Sequence, residues 1–121
     1  MSLVVLTVDD SRTMREMLKL ALGSAGFEVV QAEDGCHGLE VLDTCKPDVI
    51  VTDINMPRMD GFTFISEVRA KRVHLGVPIL VLTTESDPEK KQKARSAGAT
   101  GWIVKPFDTA KLVDAVRRVA A

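Results

Sequence analysis

Apolar residues fall along this chain in two alternating rhythms. Short runs rich in Val, Ile and Leu occur at Leu3–Val8, Phe27–Ala32, Val49–Val51, Val77–Leu82 and Gly101–Val104. Runs this short and this uniformly apolar suit strands buried on both faces, as in parallel sheets. Between them the apolar positions space out to a helical period: Met14, Met17, Leu18, Ala21 and Leu22; Leu39, Val41 or Leu42, and Cys45; Phe64, Ile65 and Val68; Ala94 and Ala97; and Leu112, Val113, Val116 and Val119. Charged residues occupy the gaps, so each segment predicts a helix with one buried face.

Punctuation residues mark the element ends. Gly26 suits the residue just past a first helix over 11–25, Asp34-Gly35 turns the chain into a second, and Lys46-Pro47 stops it. Gly61 leads into a third over 62–72, and Pro78 stands near the start of the fourth strand, where a missing donor is tolerated. Asp87-Pro88-Glu89 reads as an N-cap acid, a Pro at the first helical position and an acid in the first turn of a helix through Ala97, and Asp108 or Thr109 caps the last. Only the two alanines anchor that fourth helix among Lys90, Lys91, Lys93 and Arg95, so it is expected to be the least firmly packed. Five strands alternating with five helices indicate a single doubly wound α/β domain, (βα)5, with a parallel sheet covered on both faces. No linker or repeat divides residues 1–121, and one domain is expected over all of them.

Composition narrows the class. With 121 residues, 45% of them hydrophobic and 27% charged, the chain has enough material for a core. No apolar run approaches the ~20 residues of a membrane span. The N-terminal stretch lacks the basic segment of a signal peptide and runs into Asp9-Asp10, so the cytoplasm is the expected location and no membrane partner is expected. Cys36 and Cys45 form neither a C-x-x-C nor a Cys-His pair and read as structural. His37 and His74 stand in polar sequence surroundings without a partner motif. A net charge of −1 argues against general nucleic-acid binding, but residues 1–60 hold five Lys/Arg against eleven Asp/Glu, and 61–121 hold eleven against six. The molecule is electrically two-sided, which bears on partners and not on fold.

The chemistry collects at strand ends. Asp9 and Asp10 follow the first strand, Asp53 the third, Thr83 the fourth and Lys105 the fifth. In a parallel sheet these ends share one edge, the edge where open α/β sheets bind ligands. Taken singly, each has an ordinary role: Asp9 or Asp10 as a helix cap, Asp53 as a strand cap, Lys105 as a solvated lysine. Together they make a different argument. Three crowded carboxylates repel one another unless a cation joins them. Their donors are all oxygens, which selects a hard ion, and Mg²⁺ fits best because it takes one or two carboxylates, keeps waters and accepts phosphate oxygens. A lysine to neutralise a phosphoryl group and a hydroxyl to donate at its periphery complete a set that reads as phosphoryl transfer to an Asp nucleophile.

The set D9-D10, D53-I-N-M-P-R-M-D-G61, T83-T84 and K105-P106-F107 resembles the receiver domain of two-component response regulators over the whole chain. The stretch D-D-S-R-T-M-R at 9–15 is especially similar to stand-alone, CheY-like chemotaxis regulators. The resemblance implies a flavodoxin-like sheet of order 2-1-3-4-5, with Asp53 accepting phosphate from a sensor histidine kinase. It implies Mg²⁺ held by Asp10, Asp53 and the backbone carbonyl of Asn55, with Asp9 acting through water. Lys105 would hold the phosphoryl oxygen, next to a cis Lys105–Pro106 bond. Thr83 would move toward the phosphate while an aromatic residue of the fifth strand turns inward. That position holds Trp102, where the family more often has Tyr or Phe. Glu85 occupies a position that modulates phosphoryl lifetime. A downstream protein target would dock on the face of the fourth helix, fifth strand and fifth helix, which carries Lys90, Lys91, Lys93, Arg95, Lys111, Arg117 and Arg118.

The expectation is a monomeric phosphorylation switch in chemotaxis or motility, not an enzyme. One alternative is a phosphorelay intermediate that passes phosphate on to a histidine phosphotransfer protein. Another is an aspartyl-phosphate hydrolase, but Asp53-Ile54-Asn55 lacks the second acid that would protonate a leaving group.

Overall fold

The two hydrophobic rhythms resolve into strands β1 (Val4–Val8), β2 (Glu28–Ala32), β3 (Val49–Thr52), β4 (Ile79–Thr83) and β5 (Gly101–Val104) alternating with helices α1 (Arg12–Ser24), α2 (Gly35–Leu42), α3 (Gly61–Ala70), α4 (Pro88–Ala97) and α5 (Thr109–Ala120). This is a computed structural model in which residues 2–121 are described, so Met1 of the expected domain lies outside the described residues. All strand pairs are parallel, in the order β2-β1-β3-β4-β5. The doubly wound architecture and its strand order are therefore as the sequence and the resemblance indicate.

Strand side chains alternate between two cores. Leu6, Val8, Ile50, Ile79 and Val81 pack with Leu42, Phe64, Ile65, Val68 and Ala94 on one face. Val5, Val49, Val51, Leu80 and Leu82 pack with Leu18, Leu22, Leu112, Val113 and Val116 on the other. Period-two alternation in a sheet covered on both sides buries successive residues on opposite faces, which is why these strands read as mostly apolar runs rather than as alternating ones.

Helix starts follow local chemistry. Ser11, Asp34, Asp60, Asp87 and Asp108 each accept a backbone N–H from the first turn of the helix they precede. Ser11 caps α1, so neither Asp9 nor Asp10 is spent on that task. Gly61 opens α3 pressed against the end of β3, where a Cβ would collide with the backbone carbonyl of Asp53, while its N–H donates to Ile54 at 2.8 Å. Arg69 of α3 spreads its guanidinium over four carbonyls, those of His74, Leu75, Val77 and Gly98, and so ties α3 to the approach to β4 and to the end of α4.

Three local expectations are corrected. Met17 is 49% exposed, because the buried line of α1 runs through Leu18 and Leu22 and Met17 sits about 100° off it. Cys45 lies outside α2, which ends at Leu42; Lys46 precedes a proline and is biased away from helical geometry. Burial raises the Cys45 thiol above its usual range. His74, for all its polar sequence surroundings, is buried, because a 3-10 turn over Arg72–His74 rolls it inward and leaves Val73 and Leu75 exposed. Ala94 is the single fully buried residue of α4, in keeping with its sparse apolar anchoring.

Thr7, in the middle of β1, is fully buried and its hydroxyl has no hydrogen-bond partner. Thr7→Val keeps the shape and removes the stranded group, so it is expected to raise unfolding free energy by about 1 kcal/mol. Urea titration checks this, and a destabilised variant would show that the hydroxyl is satisfied.

Candidate functional site

Parallel register delivers the site. Val8 pairs with Thr52, and Thr83 pairs with Val104, so the residues that follow emerge side by side at one edge. Asp9 is 1% and Asp53 8% exposed, while Asp10 faces solvent. Oxygens of Asp9, Asp10 and Asp53 lie within 4.8 Å of one another. Lys105 reaches across the end of β4, placing Nζ 2.8 Å from Asp9 Oδ2 and 3.1 Å from Asp53 Oδ2.

Each buried acid is oriented in the same way. Asp9 Oδ1 accepts the Ser11 N–H at 2.9 Å, and Asp53 Oδ1 accepts the Ile54 N–H at 2.7 Å. The other oxygen of each faces Lys105. Burial raises the Asp9 carboxyl above its ordinary value, and the Lys105 hydrogen bond offsets only part of that. Burial is also the largest single influence on Lys105, pulling it down, but the hydrogen bonds and charges of Asp9 and Asp53 together hold the ammonium above the ordinary lysine value. Lys105 is therefore a fixed positive charge at neutral pH.

Behind this cluster stands Glu85, which the resemblance marks as a position that modulates phosphoryl lifetime. Its backbone N–H donates to the buried Thr83 hydroxyl at 3.3 Å, and its carbonyl accepts the Trp102 indole N–H at 3.0 Å. Its carboxylate accepts from the Asn55 amide at 3.2 Å and pairs with Lys90 at 3.0 Å. Hydrogen bonds from Lys90 and then Asn55 hold that carboxyl below its usual range. The half-buried Trp102 ring packs against the core beneath α4, so its N–H has the partner an indole requires. The Lys105–Pro106 peptide is cis, as the resemblance implies.

The residues expected at the site lie on this edge except Trp102, which sits within β5 opposite Val81 and reaches the edge through its indole N–H, and not all are in contact. Asp9, Asp10, Asp53 and Lys105 form the cluster. Asn55, Thr83 and Trp102 meet one another through Glu85. Three carboxylates and no thiolate or imidazole suit a hard divalent ion such as Mg²⁺, and the exposed Asp10 leaves room for its waters.

A family model described as the response regulator receiver domain matches residues 5–117. The transcriptional regulatory protein PdtaR of Mycobacterium tuberculosis is 38% identical over 113 residues, which cover 93% of this chain and 54% of PdtaR. The sensor histidine kinase CheAY of Helicobacter pylori is 35% identical over 117 residues, 95% of this chain and 15% of that kinase. The chain thus spans about half the length of the first and a small part of the second. Among solved structures, the chemotaxis protein CheY4 of Vibrio cholerae superposes with a TM-score of 0.95 at 45% identity, covering 98% of this chain and 99% of CheY4. The receiver domain of a Pseudomonas aeruginosa sensor histidine kinase, solved with a magnesium ion coordinated in its active-site cleft, superposes with a TM-score of 0.92 at 26% identity, covering 99% and 98%.

Lys105→Met would leave Asp9 and Asp53 facing each other without a counter-charge. The metal-free variant is expected to lose about 1–3 kcal/mol of stability, and saturating Mg²⁺ should return part of it. Thermal unfolding with Mg²⁺ and with chelator reads both effects, and a metal-free variant as stable as the parent would show that the ammonium does not hold the acids together.

Proposed function

The chain belongs to the response regulator receiver domain family, with a CheY-like fold, and from that premise we propose that it is a monomeric cytoplasmic switch phosphorylated on Asp53 by a sensor histidine kinase. Its output is phosphorylation-dependent protein binding, in chemotaxis or motility. The observation that carries the reading is the Lys105 ammonium set between two buried carboxylates on an edge where a third carboxylate stands within 4.8 Å.

A carboxylate oxygen of Asp53 bonds to phosphorus as the phosphorus–nitrogen bond of a phosphohistidine breaks, and the imidazole nitrogen takes up a proton. Asp10, Asp53 and the Asn55 carbonyl would hold Mg²⁺, with Asp9 acting through water. When bound, the ion offsets the charge shared by Asp53 and the phosphoryl oxygens. Lys105 turns its donors from Asp53 to a phosphoryl oxygen. Burial of Asp9 and Asp53 excludes water from one side of the reacting carboxylate.

The phosphoryl group carries roughly −1.5 to −2 charges at pH 7 and replaces the single charge of the Asp53 carboxylate, so the site gains about one negative charge and a set of strong acceptor oxygens. The Thr83 hydroxyl, which accepts from Glu85 in this state, would move to donate to the new oxygens. Any movement of Thr83 disturbs Glu85, and Glu85 holds the indole of Trp102. The output face follows from that link. Lys91, Arg95 and Trp102 line a groove of about 200 Å³ between α4 and β5, which suits an acidic or amphipathic partner segment. Lys93 instead lies 4.5 Å over the Phe62 ring and Arg117 covers Phe27, so neither is free for that face.

Incubation with acetyl phosphate should add one phosphoryl group by intact mass, dependent on Mg²⁺ and absent in Asp53→Asn. A protein that stays unmodified, with Trp102 fluorescence unmoved, would sink the reading. Trp102→Ala is expected to abolish the difference in partner affinity between phosphorylated and unphosphorylated protein. Unchanged discrimination, measured by calorimetry, would remove Trp102 from the switch.

A further inference from the structure

The loop joining β3 to α3 carries Asn55 and is fixed at both ends, by the Ile54 carbonyl that accepts from Gly61 and by Asp60 capping α3. Its middle is less ordinary. Arg58 has φ of 66°, and the Met59 N–H donates to the Pro57 carbonyl at 2.7 Å, which closes a three-residue γ-turn around Arg58. A non-glycine residue in this region costs free energy and persists only where its surroundings hold it there. The hold comes from the start of α2. Nε and Nη2 of Arg58 lie 2.8 and 2.7 Å from Asp34 Oδ2, while the other oxygen of that buried carboxylate accepts the His37 N–H to cap α2. Met59 packs directly on Gly35, where even a Cβ would come within 2.9 Å of its side chain.

We propose that the Asp34–Arg58 bridge is a positioning device for the metal loop: it pins the γ-turn and thereby fixes the direction of the Asn55 carbonyl. This rests on the reading of the acid edge as a Mg²⁺ site. The loop is then clamped from two sides, by Asp34 beyond its far end and by Glu85 through the Asn55 side chain. Burial alone would raise Asp34, but the His37 N–H and the Arg58 guanidinium outweigh it and hold the carboxyl below its usual range. The bridge therefore stays formed through the neutral and mildly acidic range.

Charge and position make opposite predictions for Arg58. Removing a cation near a cation site should, by charge alone, tighten Mg²⁺ binding. Losing a loop anchor should weaken it. Arg58→Gly sets the two effects against each other without adding strain, because glycine accepts the positive φ. Asp34→Asn keeps a competent helix cap while discharging the bridge. In calorimetric titration both variants are expected to bind Mg²⁺ roughly tenfold more weakly, the lower end of the range found when support around a ligand is lost. The double variant should be no weaker than either single one. In the metal-free protein, the Asn55 and Met59 amides should exchange faster in both variants while the Gly61 amide does not. Arg58→Gly binding Mg²⁺ as tightly as the parent, or tighter, or with unchanged loop exchange, would overturn the proposal alone. A parent protein that fails to bind Mg²⁺ would overturn the reading of the acid edge and this proposal with it.

Discussion

Mutual repulsion among three carboxylates is the constraint on which the working edge of this molecule depends. Asp9, Asp10 and Asp53 are brought within 4.8 Å by parallel strand pairing, a geometry that ionised acids resist in the absence of a counter-charge. The protein answers with one ammonium, Lys105, and with one backbone N–H for each buried acid. One ammonium stands against three carboxylates. The edge is left with an appetite for cations that the rest of the sheet, apolar on both faces, cannot satisfy.

Around that edge the supporting contacts divide between two neighbours. Glu85 gathers Asn55, Thr83, Trp102 and Lys90, and Asp34 gathers Arg58 and the start of α2. A change of charge at Asp53 is thus next to one network that reaches the α4 and β5 surface and another that reaches α2. The first uses a backbone amide, a carbonyl and a carboxylate of a single residue, so its members cannot move independently.

Much of this was legible in the chain itself. Val49–Val51 running into Asp53, and Gly101–Val104 into Lys105, place chemistry at strand ends without any knowledge of neighbours, and parallel topology then brings those ends together. Asp87-Pro88 announced the start of α4 because a cap is a local event. What escaped was decided at a distance. Met17 and Leu18 are both apolar, and only the packing of α1 on the sheet chooses between them. His74 looks solvated beside Arg72 and turns inward because of a 3-10 turn. Arg58 and Asp34 are 24 residues apart, in segments that read only as loop and turn. Glu85 was marked only through the family resemblance, while its partners come from three other segments of the chain.

The opposite edge of the sheet is governed by Arg69, whose guanidinium satisfies carbonyls of His74, Leu75 and Val77 along with that of Gly98. The path of that crossover is dictated by a side chain outside it, and the exposed Val73, Leu75 and Gly76 contribute little to its shape. Mutational freedom is therefore unevenly shared: substitutions can accumulate at the exposed positions of the crossover for as long as one arginine is kept, and a change of that arginine exposes every one of them at once.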